Sequence, residues 1–382
     1  MPSLPPKTLR VSVIGLSDDG MGHIRASIRT EVQLPPKSVG YESGMDDVVC
    51  RQATLVLIGV DTDRVAALRL SQRLLKEDAE IRLIALSESE ERVGALEILR
   101  AGFSEYLLIP SDSETLRRAI HIARRNEARH LGKLTVILGT KGGCGVSTLT
   151  TNLAAELADM HRVCAVDLDF DMGDMSALVG LEPETSIQDL LAQLPTLTQR
   201  DILRAVSVHT SKLHVLPQSS FPEDPQHMVH SDLRTSDVHH LLHLLSETYQ
   251  YVFLDCSGAL DFARLGALQL ADQIWLICTP DVLSIRNAWR RLRLLDQLGV
   301  SRDCIRIVLN RSRPDAPLSD EDIEENLSFR IAARISEDRR TLEQSVTRGV
   351  LIREIDSESH ALRDLASSVR LVTDKRIPKG TS

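Results

Sequence analysis

No apolar run in the 382 residues approaches the roughly 18 that a membrane-spanning helix requires, so nothing in the sequence reads as such a helix. The first residues, Met1-Pro-Ser-Leu-Pro-Pro-Lys7, lack the charged-then-apolar layout of a secretory signal, and a chain made without one is the expectation. Cysteine is sparse. Six thiols, at 50, 144, 164, 256, 278 and 304, fall mostly inside apolar runs, with neither metal-type nor disulfide-framework spacing. Buried free thiols in a cytoplasmic protein are the natural reading. Excess positive charge is missing too: a net charge of −9 argues against bulk electrostatic attraction to DNA or anionic lipid. Short-period repeats and low-complexity tracts are also absent.

What is present is length and apolar content: 42% hydrophobic residues in a chain of this size supply cores for roughly two or three domains. Strand-like runs alternate with helix-like ones, the signature of a parallel α/β architecture. The first set is Leu9–Gly15, Ala53–Gly59, Ile81–Leu86 and Glu105–Ile109, with helical spacing over Arg64–Lys76, Glu90–Arg100 and Ser113 to about Arg124. A polar stretch, 125–133, precedes a fresh strand at Leu134, which predicts one domain over 1–130 and a second over 131–382. The last residues, 374–382, read as a loose polar tail.

The segment Gly139-Thr-Lys-Gly-Gly-Cys-Gly-Val-Ser-Thr148 follows the apolar run Leu134–Leu138 and opens an amphipathic stretch, Leu149–Met160, so it reads as strand, loop, helix. Glycines 142, 143 and 145 let backbone N–H groups close around phosphate oxygens at the positive end of that helix. Ser147 stands where a phosphate-loop hydroxyl binds Mg²⁺, and Thr148 offers a second hydroxyl. The lysine that should precede Ser147 is Val146, yet Lys141 stands ahead of the glycine pair. These residues imply nucleotide binding and poor hydrolysis.

The pattern Lys141-Gly142-Gly143-Cys144-Gly145-Val146-Ser147-Thr148 resembles the deviant Walker A loop of the ParA/MinD family. The resemblance implies a lysine, Lys141, that crosses a dimer interface to the partner's nucleotide. It covers about 134 to 355. Asp167 and Asp169, ending the run Arg162–Asp169, match the family's Asp-x-Asp element, which helps order Mg²⁺ and the attacking water; alternation puts both on one side of a strand. Asp255, ending Tyr251–Asp255, matches the Walker B carboxylate that holds Mg²⁺ through water. The family continues Asp-x-Pro-x-Gly where this chain has Asp255-Cys-Ser-Gly258, one residue tighter and without the proline. Asn310, in Ile305–Arg311, matches the asparagine whose amide reads adenine; Ile335-Ser-Glu-Asp338 resembles the segment beside the base, with Ser336 in place of proline.

The first domain resembles a response-regulator receiver in layout. Asp18 and Asp19 fit the acidic pair and Ser87 the hydroxyl, but the phosphoacceptor position falls on Gly59, two residues before Asp61, and the lysine position on Ile109 before Pro110. Without that ammonium an incoming phosphoryl group loses its fixed counter-charge, and a receiver-shaped interaction module without phosphotransfer is expected. A receiver-like (flavodoxin-like) domain ahead of a ParA/MinD-type domain with this loop is similar to the TadZ/CpaE family of tight-adherence (Flp) pilus systems. That resemblance implies ATP and Mg²⁺ as cofactors, ATP-promoted homodimers, recruitment of pilus secretion components at a cell pole or the inner face of the membrane, and no direct membrane insertion. A DNA-partitioning ParA and a MinD-like positioning ATPase remain the alternatives. For the former, Arg286, Arg290 and Arg293 form a ridge on a predicted helix that reads first as a solvated face; for the latter, the run Ala361–Val372 leads into a polar tail rather than a basic amphipathic end.

Overall fold

The computed structural model describes residues 9–28, 32, 34–78, 81–89, 94–113, 115–117, 119–120, 132–170, 172–218, 235–258 and 260–373. The expected domain boundary near 130, most of the polar stretch 125–133, the second half of the helix after Ser113, the segment 90–93 and the tail 374–382 lie outside the described residues.

Two parallel sheets form on either side of residues 121–131. The first is β1 (Val11–Ile14), β2 (Leu55–Gly59), β3 (Arg82–Ser87) and β4 (Glu105–Leu108), hydrogen-bonded in that order. Val39 adds a parallel bridge to Ile14 on the outer edge of β1, so with this one-residue edge the order follows the doubly wound 2-1-3-4-5 scheme. Sequence reading missed it because one bridge leaves no apolar run. The strands are buried on both faces, which is why they read as continuous Val/Ile/Leu runs rather than alternating ones.

The second sheet has eight strands: β5 (Lys133–Gly139), β6 (Val163–Asp167), β7 (Ser207–Val208), β8 (His214–Leu216), β9 (Tyr251–Cys256), β10 (Gln273–Cys278), β11 (Ile305–Ser312) and β12 (Ile331–Ser336). Their order is β12-β11-β10-β5-β9-β6-β8-β7, with all pairs parallel except β7 against β8. The order reverses around β5, so the carboxyl ends of β5, β6, β9, β10 and β11 open onto one crevice, where open α/β sheets bind ligands. The helix after β5, Val146–Ala158, is buried nearly all round. It lies between the sheet and the helix His360–Thr373, whose Ala361, Leu362, Leu365 and Val372 face inward. That last helix spends its apolar side on the core. Among the described residues no helix is long and apolar enough to cross a membrane.

The sheets share a core. One continuous apolar cluster runs from Val56, Leu74 and Phe103 in the first unit to Leu241, Leu265 and Leu295 in the second. Gln269 Nε2 donates to the Phe103 carbonyl at 2.6 Å, and Gly102 and Gly299 both come against Leu75.

Candidate functional site

The loop after β5 turns through Gly143 (φ 73°) and Gly145 (φ 96°), conformations that exclude most side chains. At Gly145 a Cβ would stand 2.5 Å from Asn310 Nδ2, so glycine is required for space as well. Gly142 and Gly143, by contrast, have open space where a side chain would be. The helix begins at Val146, three residues before its apolar spacing starts, because glycine supplies the left-handed entry. Val146 is 5% exposed and packs its Cγ2 beside Gly139. It fills an apolar slot and brings no charge to the loop.

Ser147, on the first turn, faces Asp255 at the end of β9, and its hydroxyl is one of the groups holding down the pKa of that carboxylate. Asp255 Oδ1 accepts the Ser257 N–H at 2.9 Å, while buried Oδ2 completes no hydrogen bond. Parallel pairing of β6 with β9 sets Asp167 beside Asp255. Burial, then the charge of Asp255, pushes the Asp167 pKa up against two backbone donors, Asp169 N at 3.0 Å and Met175 N at 3.1 Å. Asp255 is also raised, by burial above all. Two such carboxyls next to each other disfavour their own ionisation and are suited to sharing a cation.

β6 ends at Asp167, so strand alternation does not extend to Asp169. Asp169 is oriented instead by a guanidinium that sequence reading missed: Arg264 Nη2 lies 3.0 Å from Asp169 Oδ1, and Ser257 Oγ donates to Oδ2 at 3.1 Å. Arg264 is 1% exposed and also meets Asp261, which caps the same helix, Phe262–Leu270. The lone charged residue of that helix was the available signal, since a fully buried guanidinium requires an acidic partner.

Lys141 Nζ lies 2.6 Å from Asp281 Oδ2 within the same chain. Asp281 caps the helix Val282–Gln297 and also accepts from Thr279 Oγ1 at 2.6 Å. Burial opposes ionisation of Asp281, but hydrogen bonds from Lys141, Thr279 and Ser284 outweigh it and hold the pKa below the usual range. On that helix Arg286, Arg290 and Arg293 are exposed as a ridge, as its spacing predicts, and the Arg293 guanidinium sits 5.0 Å from the Trp289 ring centre. Val282, Leu283 and Trp289 expose apolar surface beside it.

Asn310 is buried, and its amide is committed to the loop: Nδ2 donates to the Cys144 carbonyl at 2.8 Å, while Oδ1 accepts from Arg311 N. Arg311 Nη2 in turn donates to the Gly143 carbonyl at 2.7 Å. Asp338 caps the helix Arg339–Arg348 and accepts from Ser359 Oγ at 2.6 Å, and Ser336 N donates to Asp364, so that segment serves local structure. Thr148 is half-buried, with its carbonyl accepting from Asn152. Among the described residues no three His, Cys, Asp or Glu side chains converge as metal ligands.

In the first unit Gly59 leaves no space for any side chain: a Cβ there would stand 2.3 Å from the Gly15 carbonyl oxygen. Tyr41 Oη donates to the Gly59 carbonyl at 2.8 Å, and its ring covers Gly15. Asp61 accepts from Ser87 Oγ at 2.8 Å, while Asp18 and Asp19 open the helix Asp18–Ile28, exposed. Ile109 is buried.

Residues 132–298 match the protein family described as an AAA domain. Over 260 residues the chain is 23% identical to the septum site-determining protein MinD of Thermotoga maritima, spanning 65% of this chain and 90% of that one. Two solved structures share the fold: a ParA family ATPase from Chlorobium tepidum (22% identity, TM-score 0.58, 62% of this chain and 99% of that one) and MinD complexed with Mg-ADP from Pyrococcus horikoshii (21%, 0.55, 65% and 100%).

Proposed function

We propose, from the premise that the chain carries a ParA/MinD-type AAA domain, that it is an ATP-binding, dimerising localisation and assembly factor of the tight-adherence pilus machinery, with slow or absent ATP hydrolysis. The observation that carries the reading is the loop: a glycine-lined strand-to-helix turn with Ser147 facing Asp255, Val146 in the lysine position and Lys141 ahead of it.

The residues fit Mg·ATP. Asp255 Oδ2 is a buried carboxylate oxygen without a hydrogen bond, beside a serine hydroxyl, as a hard cation that keeps several waters requires. Mg²⁺ bound by Ser147 and Asp255 would neutralise phosphate charge. Gly142, Gly143, Cys144, Gly145, Val146, Ser147 and Thr148 would hold phosphate through backbone N–H groups and hydroxyls at the helix terminus. Asn310, whose amide is held by the Cys144 carbonyl and the Arg311 N–H, would read the base only by exchanging those hydrogen bonds. Asp167 and Asp169 would order water near the metal, although Asp169 is already held by Arg264 and Ser257. An absent ammonium removes stabilisation of developing charge, an effect of about 10²-fold or more in rate. The MinD relative complexed with Mg-ADP supports the same cofactor class.

The first unit supports the assignment through its receiver-like strand order and a phosphoacceptor position that has no nucleophile and no space for one. It would serve as a docking module, with recruitment to a pole by partners. The MinD and ParA relatives favour a second reading, a positioning or partitioning ATPase, to the same degree. Salt-dependent binding to nonspecific DNA or sedimentation with liposomes would select that reading.

The deciding measurement is light-scattering mass with and without Mg·ATP, on wild type and Lys141→Ala. We expect a monomer that becomes a dimer with Mg·ATP, and a Lys141→Ala variant that is folded yet stays monomeric, since a charge-assisted contact across the interface is lost. Nucleotide-dependent dimers in Lys141→Ala would leave that lysine as no more than the partner of Asp281.

A further inference from the structure

We propose that Arg311 supplies the positive charge that the phosphate loop lacks at Val146. The inference rests on the reading of this loop as a nucleotide site and goes beyond it by naming the cation. Among the described residues, two cations near the loop and its neighbouring strand ends, Lys141 and Arg264, are ion-paired within this chain. Lys141 is 2.6 Å from Asp281, and Arg264 is divided between Asp169 and Asp261. Arg311 is exposed and makes no ion pair among the described residues.

Its placement is specific. β11 carries Asn310 and Arg311 to the loop side by side, and both reach loop carbonyls: Asn310 that of Cys144, Arg311 that of Gly143, at 2.7 Å. Arg311 adopts φ 55°, a left-handed conformation that is strained for a non-glycine residue and persists where the surroundings demand it. Here the demand is visible: the backbone N–H of Arg311 donates to the Asn310 amide at 2.9 Å, and that turn directs the guanidinium over Gly143. A guanidinium has five N–H donors in a rigid fork. One is fixed on the Gly143 carbonyl, which leaves donors over, and the positions where side chains of Gly142 and Gly143 would stand are open space. The chemistry this recognises is a phosphoryl oxygen of a nucleoside di- or triphosphate, approached from the strand next to the loop instead of from the first turn of the helix.

The test compares wild type, Arg311→Lys, Arg311→Gln and Arg311→Ala by calorimetric titration with Mg·ATP, Mg·ADP and AMP. Glutamine keeps a donor for the Gly143 carbonyl and removes the charge, so it separates bracing of the loop from attraction to phosphate. We expect Arg311→Gln and Arg311→Ala to lose about 10- to 100-fold in affinity for Mg·ATP, less for Mg·ADP and little for AMP, with lysine in between. Affinity in both neutral variants should also depend less steeply on salt. Equal losses for all three ligands, or wild-type affinity in Arg311→Gln, would make Arg311 a brace or a base contact and overturn the proposal. Wild type that binds none of the three would overturn the nucleotide reading itself, and this inference with it.

Discussion

Asp167 and Asp255 end neighbouring strands in register, and both carboxyls are pushed toward their neutral forms by burial. Their raised folded-state values sit above an unfolded value of about 3.9. The stability linked to them is therefore fully present below that value and is lost as pH rises through the folded values. An asparagine at 167 escapes this loss. The stability of Asp167→Asn relative to wild type should increase steadily from pH 4 to pH 8, measured by urea unfolding without nucleotide; a flat or falling difference would mean that the fold does not disfavour the Asp167 carboxylate. Both aspartates were legible in the sequence because each closes an apolar run. Lys141 and Val146 were equally legible, since loop chemistry is contiguous. Arg264, Asp281 and the contact of Arg311 with Gly143 were not: they join residues 95, 140 and 168 positions apart, and nothing local in the chain encodes those pairings.

Most strands were visible for one reason: both faces are buried, so the runs are continuously apolar. The exceptions are short or lie half-exposed: β12 has six residues, but its burial alternates and it forms no continuous apolar run. Val39 contributes a single bridge, β7 two residues and β8 three, too little for any pattern to register. The helix Phe262–Leu270 was hidden for a different reason, because its importance lies in what its two ends touch. Its first turn brings Arg264 to Asp169, and its last turn brings Gln269 to the Phe103 carbonyl. Removing the guanidinium strands a carboxylate in a protein interior. Arg264→Met should cost about 3 to 5 kcal/mol in chemical denaturation, and adding Asp169→Asn should return much of it. An additive pair of losses would show that the two side chains do not depend on each other.

At the scale of the whole chain, the two sheets are joined through a common apolar cluster, and Leu75 of the first unit lies against Gly299 of the second. Calorimetric heating should give one transition for wild type. Leu75→Glu, which buries an unpaired charge costing several kcal/mol, should split it into two. Two transitions in wild type, or one in the variant, would refute joint folding. The sequence announced two units but could not announce this joint, because apolar residues covering an interface look the same as those lining a core. The joint also bears on how such a chain changes over generations. A unit on a free linker can be traded by recombination, and its descendants are interchangeable parts. Here an exchanged first unit would arrive without a match for Gly299 and the Gln269 amide, and would leave the second unit with a hole in its side. The joint therefore ties changes at Leu75, Gly102 and Phe103 in the first unit to the second, and a transplanted second unit would need its own companion grafted along with it.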